Sequence, residues 1–287
     1  MSTSLSVIVS CRNSATTLAE TLEAIVSQQY DGWWELVVVD NGSTDRTGEV
    51  ARRFERRVEN FRLLDVPDPG YQARGLNYGI EHSRGDHLVF LDSDDIAAPG
   101  YLEQIGKALD DAPFVGGAMD VETLNAPWLL ARRRVLQQDR IDVFCSYLPA
   151  VIGASMAARR EAVEAVRGFD ERLPTQHDLD ISWRLYHAGY PAVFVPGAIL
   201  HYRYREGLKG VFDQERGYGE GEVALYRKFR ARGLRRRSVP RVLVDYARTV
   251  RALRDIRSRP GRARFLTLLG ANLGRVQGSI RFRTLYL

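Results

Sequence analysis

Two hydrophobic rhythms alternate along the first 110 residues. Leu5–Ser10 and Glu35–Asp40 are short β-branched runs, the pattern of strands buried on both faces. Between them, Ala15–Gln29 places Leu18, Leu22, Ile25 and Val26 at helical spacing, which predicts one apolar face. Asn41-Gly42-Ser43-Thr44-Asp45 reads as a turn before a helix reaching about Phe54. Ser43 or Thr44 is placed to cap that helix, and Asp45 falls in its first turn. A strand at Phe61–Asp65, a helix at Gln72–His82 and a strand at His87–Leu91 follow, the last running into Asp92-Ser93-Asp94-Asp95. This alternation predicts an α/β fold with a mainly parallel sheet covered on both faces. Ligands of such sheets gather beyond the carboxyl ends of the strands, where Asp40 and Asp92 both stand.

The later pattern is less regular. Pro113–Met119 and Ala150–Ala157 read as strands, with a mobile loop expected between them. Glu161–Val166 is a short helix ended by Gly168, and Thr175–Ala188 a better one closed by Gly189. Ala192–Pro196 and Ile199–Tyr202 suggest two further strands. Beyond Leu208 the chain becomes helical and arginine-rich, punctuated by Pro240 and Pro260, with no internal repeat.

Composition narrows the class. The 287 residues are 45% hydrophobic, enough for one large or two modest domains with a real core. Cys11 and Cys145 are the only cysteines, which excludes a disulfide framework and disfavours a cysteine-based zinc site. No apolar run approaches the roughly 18–20 residues that span a bilayer, and no basic leader precedes the first apolar stretch. A soluble or peripheral protein of the cytoplasm is expected. The net charge of +5 conceals a division: Arg227–Leu287 holds 18 Lys and Arg against Asp245 and Asp255, while the preceding part sums to −11.

Several constellations could carry chemistry. Asp92, Asp94 and Asp95 repel one another unless a cation compensates, and hard oxygen donors of this kind suit Mg²⁺ or Mn²⁺. Extended backbone would point Asp92 and Asp94 to one side and turn Asp95 away into the loop. The competing reading is a solvated acidic turn. Asp40 can accept from a nucleobase imide or ribose hydroxyl, or cap a helix. Arg74, Gly75 and Asn77 sit near a helix start, a plausible diphosphate contact. In His177-Asp178-Leu179-Asp180, Asp180 has Arg184 at i+4, which suggests a structural pair. Asp178 reads either as a capping-box acid with Thr175 or as a general base at a helix N-terminus, where the dipole favours negative charge. His201 ends a strand, as a structural histidine or an extra metal ligand. Trp33, Trp34 and Trp183 offer either core packing or sugar stacking. No Gly-x-x-x-x-Gly-Lys-Ser/Thr loop, Gly-x-Ser-x-Gly elbow or paired-His zinc motif occurs.

In order, Ser-Val-Ile-Val-Ser-Cys-Arg-Asn, Val-Val-Val-Asp-Asn-Gly-Ser-Thr-Asp, Ala-Arg-Gly-Leu-Asn-Tyr-Gly, Phe-Leu-Asp-Ser-Asp-Asp, Gly-Phe-Asp-Glu and His-Asp-Leu-Asp-Ile-Ser-Trp-Arg-Leu together resemble a family 2 glycosyltransferase across residues 4–205. The resemblance implies a GT-A fold, a Rossmann-like, mixed but mainly parallel central sheet, followed here by a helical Arg-rich extension. It implies a catalytic domain over 1–207, with a nucleotide-binding half (1–110) and an acceptor-binding half (111–207), and an extension over 208–287. It further implies a nucleotide-sugar donor, UDP-linked in many members, a divalent Mn²⁺ or Mg²⁺, and inverting transfer to an acceptor hydroxyl. Carried onto this sequence, Ser10, Arg12, Asn13, Asp40, Arg74, Asn77, Asp92, Ser93 and Asp94 would contact the nucleotide sugar. Asp94, Asp95 and His201 would hold metal, and Asp178 would be the catalytic base. His177 and Trp183 would face the acceptor or sugar. Two features depart from the family pattern: His177 replaces the usual Glu before Asp178, and the Ala-Arg-Asn-x-Gly run is stretched.

Two other functional classes compete. The same fold could serve as a non-catalytic nucleotide-sugar-binding scaffold, which the His177 change alone favours. The basic tail could be a nucleic-acid-binding arm, but it carries no nucleic-acid fold motif. Leu243, Tyr246, Val250 and Leu253 follow helical spacing among arginines, which suits an anionic membrane surface or an acidic partner, or else packing on the catalytic domain. The sequence leaves the oligomeric state open.

Overall fold

The computed structural model describes residues 4–130 and 136–286. Its strands are β1 (Leu5–Cys11), β2 (Trp34–Asp40), β3 (Phe61–Asp65), β4 (His87–Asp92), β5 (Ile96–Ala97), β6 (Phe114–Asp120), β7 (Val143–Phe144), β8 (Leu148–Pro149), β9 (Ser155–Arg159) and β10 (Val193–His201). The helices are α1 (Leu18–Val26), α2 (Thr47–Arg52), α3 (Gln72–His82), α4 (Tyr101–Asp111), α5 (Pro127–Leu130), α6 (Arg160–Ala165), α7 (His177–His187), α8 (Leu208–Phe229), α9 (Val239–Ala252) and α10 (Arg259–Arg281).

Eight strands form one sheet in the order β3-β2-β1-β4-β9-β6-β10-β5. The first four run parallel, β9 is antiparallel to both neighbours, and β6 and β10 again run with the first four. Period-2 alternation divides β1 between the sheet's faces. Leu5, Val7 and Val9 pack with residues of α1 and α4, and Ile8 packs with residues of α3, α6 and α7.

Because the parallel strands point one way, their carboxyl ends form a single edge. Ser10 lies opposite Asp92, Cys11 opposite Asp40, Asp40 opposite Asp65, and His201 opposite Asp120. The strand order reverses between β1 and β4, so the loops after these two strands flank the sheet's switch point.

Some elements differ from the sequence reading. The strand expected at Ala150–Ala157 begins only at Ser155. Upstream N–H groups go elsewhere: Val151 to Ser182 Oγ, Ile152 to Gln137 Oε1 and Gly153 to Asp178 Oδ2. The two strands expected at 192–202 are one, β10, with its register broken between Val195 and Ile199 where Pro196-Gly197 interrupts the ladder. Part of the loop expected before Ala150, residues 131–135, lies outside the described residues.

The C-terminal helices do not dangle. α10 lies along α8 so closely that a Cβ on Gly274 would stand 2.0 Å from Arg216 O, and one on Gly270 would stand 2.7 Å from Phe212 O. α8 in turn meets α7: Lys228 Nζ sits 2.5 Å from Asp180 Oδ1 and 2.8 Å from Asp170 Oδ2. Asp180 also holds Arg184 at 2.7 Å, so the expected i,i+4 pair is structural and fully buried on its acidic side. Outward, α9 shows a different face. Val239, Leu243, Tyr246, Val250 and, just beyond the helix, Leu253 are exposed, Leu243 by 64% and Val250 by 66%, so the apolar side of this helix is not packed on the rest of the described chain. No helix among the described residues is long and apolar enough to cross a membrane.

Candidate active site

The loops after β1 and β4 enclose a cleft of about 360 Å³ at the switch point. Ser10, Arg12 and Asn13 line one wall, Asp92, Ser93 and Asp94 another, and Asn41, Tyr71, Gln72 and Arg205 complete it. The loops are tied together by side chains. Ser14 Oγ lies 2.7 Å from Ser93 Oγ, and Thr17 Oγ1 donates to Ser93 O. Asn13, in the left-handed region at φ 54°, accepts through Oδ1 from the Thr44 N–H. Asn41 accepts from the Gly70 N–H and donates to Gly70 O and Tyr71 O. Helix α3 approaches β1 so closely that a Cβ at Gly75 would lie 2.2 Å from Ser10 Oγ. Only glycine fits there.

Asp92, Asp94 and Asp95 each present an oxygen within 4.8 Å of the others. Asp95 does not turn away as the extended-strand argument expects. It is buried, with Oδ1 accepting from the Arg203 N–H at 2.7 Å and Oδ2 left without a partner. The turn after Asp92 folds the third carboxylate back onto the first two. Burial pushes Asp92 up to about 7, Asp94 adds to the push, and Asp178 contributes a smaller one. Asp94 is also raised, by burial, and Asp95 is raised well above its ordinary range by burial and its two neighbours. Arg205 lies 3.4 Å from Asp94, and Gln72 donates to Asp92 at 2.6 Å. Arg203 is the second guanidinium near the cluster, but it also pairs with Glu20, so the two do not neutralise three carboxylates. An orphaned buried oxygen in an all-oxygen donor set fits a hard divalent cation such as Mn²⁺ or Mg²⁺.

Asp178 stands at the start of α7, its Oδ2 accepting from the Gly153 N–H at 3.1 Å and its Oδ1 from the Leu179 N–H at 2.9 Å. The capping box with Thr175 does not form, because Thr175 Oγ1 donates to Gly217 O of α8. Asp178 lines a second cavity, of about 210 Å³, walled largely by Met119, Val121, Phe144, Ile152 and Leu179 and closed by α8 and α10.

Other expected residues are placed differently. Arg74 pairs with Glu171 at 3.3 Å, and Asn77 bonds Glu171 Oε1 and both the N–H and C=O of Phe169. Both therefore clamp the Gly-Phe-Asp-Glu segment onto α3 and do not line the cleft at the switch point. Asp40 is buried, with Oδ1 on the Ser43 N–H, and its neighbour Asn41 faces the cleft. Asp45, and not Ser43 or Thr44, caps the start of α2, accepting from the Thr47 N–H. His201 lies outside the three-acid cluster, with Nδ1 held 2.6 Å from Asp120 Oδ2. Trp183 is fully buried, its indole N–H on Leu148 O, so it has no face for a sugar. His177 is buried with Nδ1 unpartnered, and burial lowers its pKa, keeping the ring neutral.

Sequence reading missed Arg203 and Arg205. They alternate on the extended stretch after β10, and that i,i+2 spacing was the available signal. Gln72 and Asn41 carried none, since ordinary amides acquire meaning only from neighbours brought in by the fold.

The glycosyl transferase family 2 model matches residues 6–167, and a glycosyl transferase family group 2 model matches residues 87–269. The chain is 31% identical over 203 residues, 68% of its length, to glycosyltransferase AglE of Haloferax volcanii. It is 25% identical over 248 residues, 79% of its length, to the probable glycosyltransferase YdaM of Bacillus subtilis. These alignments span 65% and 57% of the relatives, less than two thirds of either. Among solved structures, the mannosyltransferase PcManGT of Pyrobaculum calidifontis, in complex with GDP-Man and Mn²⁺, aligns at TM-score 0.69 and 18% identity. That alignment covers 96% of this chain and 86% of the other. TarS 1-349 of S. aureus in complex with UDP-GlcNAc aligns at TM-score 0.58 and 16% identity, covering 99% and 93%. The matched motifs, the sheet order and these likenesses agree: the chain belongs to glycosyl transferase family 2 and has the GT-A fold.

Proposed function

We propose that this glycosyltransferase moves a sugar from a nucleotide-sugar donor to an acceptor hydroxyl with inversion, with Asp178 as general base. The observation that carries this reading is the pairing of a three-carboxylate cluster in a polar cleft with a backbone-anchored aspartate close enough to push on Asp92. The donor half is 1–110, whose cleft presents Ser10, Arg12, Asn13 and Ser93 to the nucleotide sugar. The acceptor half is 111–207, and the extension is 208–287. Asp92, Asp94 and Asp95 would hold a divalent ion. That ion, when bound, supplies countercharge to the leaving diphosphate.

The remaining work falls to the chain itself. The N–H groups of Gly153 and Leu179 fix the Asp178 carboxylate, which takes the proton of the acceptor hydroxyl as that oxygen attacks the anomeric carbon. Attack from the face opposite the leaving group inverts the centre, so no covalent intermediate is needed. A UDP-sugar is the first donor to test and GDP-mannose the second, since the neighbouring folds hold these two classes. We place the enzyme peripherally at the anionic inner face of a membrane, held through α9.

The test is nucleotide binding. Calorimetry should show UDP or GDP binding that requires Mn²⁺ and weakens by about tenfold or more in Asp94→Ala. Unchanged binding in that variant would remove the metal site from the account.

A further inference from the structure

A third cavity, of about 510 Å³, opens between the β7–β8 hairpin and the start of α9. It shares no lining residue with the donor cleft. Five arginines line it, Arg235, Arg236, Arg237, Arg241 and Arg275, against two acids, Glu222 and Asp245. Both acids are already committed. Glu222 accepts two hydrogen bonds from Arg275, at 2.8 and 3.1 Å, and Asp245 pairs with Arg237. Among the described residues no ion pair engages Arg235, Arg236 or Arg241. The cavity therefore holds three uncompensated cations. Ser238 also lines it and stands at the N-terminus of α9 without capping a helical N–H, which adds the positive end of a 14-residue helix.

The position of this charge matters. Gln176 and Leu179, which bracket Asp178 in the chain, line the arginine cavity, while Asp178 lines the apolar one beside it. Phe144, Glu222 and Arg275 also wall both spaces. Anything occupying the two cavities together places an anion among the arginines and another part of itself at the Asp178 carboxylate.

We propose that the arginine cavity is a phosphate subsite for the acceptor: the acceptor is a phosphate ester whose anion is held by Arg235, Arg236 and Arg241 while its hydroxyl reaches Asp178. This rests on the reading of Asp178 as base. Guanidinium groups suit phosphate because their planar donors match its oxygens in pairs. Glu222 and Asp245 keep Arg275 and Arg237 in place instead of cancelling the cavity's charge. The phosphate has two sources that share this chemistry and carry a free hydroxyl, a phospholipid with a polyol headgroup or a soluble polyol phosphodiester.

The experiment is calorimetry on the full chain in metal-free buffer, with a short-chain phosphatidylglycerol, glycerophosphoglycerol and inorganic phosphate as probes. Wild type should bind at least one of the organic phosphates, more weakly as salt rises, and Arg235→Gln/Arg236→Gln/Arg241→Gln should weaken it about tenfold or more. All three side chains are exposed, so the melting temperature should hold. Where it does not, Arg241→Gln alone should still weaken binding by about threefold. Tighter binding of phosphatidylglycerol assigns a lipid source, and tighter binding of glycerophosphoglycerol a soluble one. Either supports the subsite. Equal affinities in wild type and variant, or no binding of any probe by wild type, overturns it. The arginine variants read phosphate binding alone, so an error in the base assignment would appear in sugar transfer and not here.

Discussion

At the scale of single residues, the site is built on carboxylates whose charge the protein alone does not compensate. Burial raises Asp92 to about 7 and Asp95 well above the usual carboxylate range. The unfolded chain ionises these groups near pH 4, so the cluster's contribution to stability is present at low pH and is lost as pH rises from there through about 7. A divalent cation reverses the cost by favouring the charged form. Mn²⁺ should therefore raise the melting temperature more at pH 8 than at pH 5, measured on protein first stripped with chelator. An equal increment at both values would argue that the ion does not bind these acids. The pair Asp92 and Asp94 was legible in the sequence because their spacing is local. The inward turn of Asp95 was not, since the Arg203 N–H that holds it arrives from 108 residues away. Arg74 and Asn77 show the opposite case: their motif is recognisable, yet their polar atoms serve the segment around Phe169 and Glu171.

At the scale of elements, the strand–helix alternation of the first 110 residues was readable because each element is set by its own periodicity. Phe61–Asp65 and Gln72–His82 fall where the pattern places them. The region around β9 was not, because side chains from α7 and the preceding loop take the N–H groups of Val151, Ile152 and Gly153. Helix α9 makes a claim of its own. Its stripe at Val239, Leu243, Tyr246 and Val250, continued by Leu253 in the turn that follows, faces outward, with Arg251 and Arg254 toward its C-terminal end. A basic amphipathic helix in this pose fits the interface of an anionic bilayer. Removing residues 227–287 would be a poor test, because α10 packs backbone to backbone on α8 and lines the Asp178 cavity. Leu243→Ser/Val250→Ser changes only exposed positions. It should sharply reduce co-sedimentation with phosphatidylglycerol vesicles at low salt. Retained sedimentation of the double variant, or no sedimentation of wild type, would count against membrane docking.

At the scale of the whole molecule, the division of charge acquires a place in the fold. The acids of the first part gather at the carboxyl edge of the sheet, where Asp40, Asp65, Asp92, Asp120 and Asp178 collect on neighbouring elements. The last part does more than coat a surface, since its Ala271 and Arg275 on α10 help close the cavity that Asp178 lines. The switch-point cleft, the proposed base and the basic extension thus occupy successive positions from the sheet's switch point outward. The central claim is that Asp178 performs chemistry while the cleft performs binding. Both functions should be measured side by side on Asp178→Asn, with calorimetry of the nucleotide in Mn²⁺ and turnover of the nucleotide-sugar donor. The account predicts nucleotide affinity within about twofold of wild type and turnover lower by a factor of about 10² or more. Loss of both together, or turnover at the wild-type rate, would contradict it.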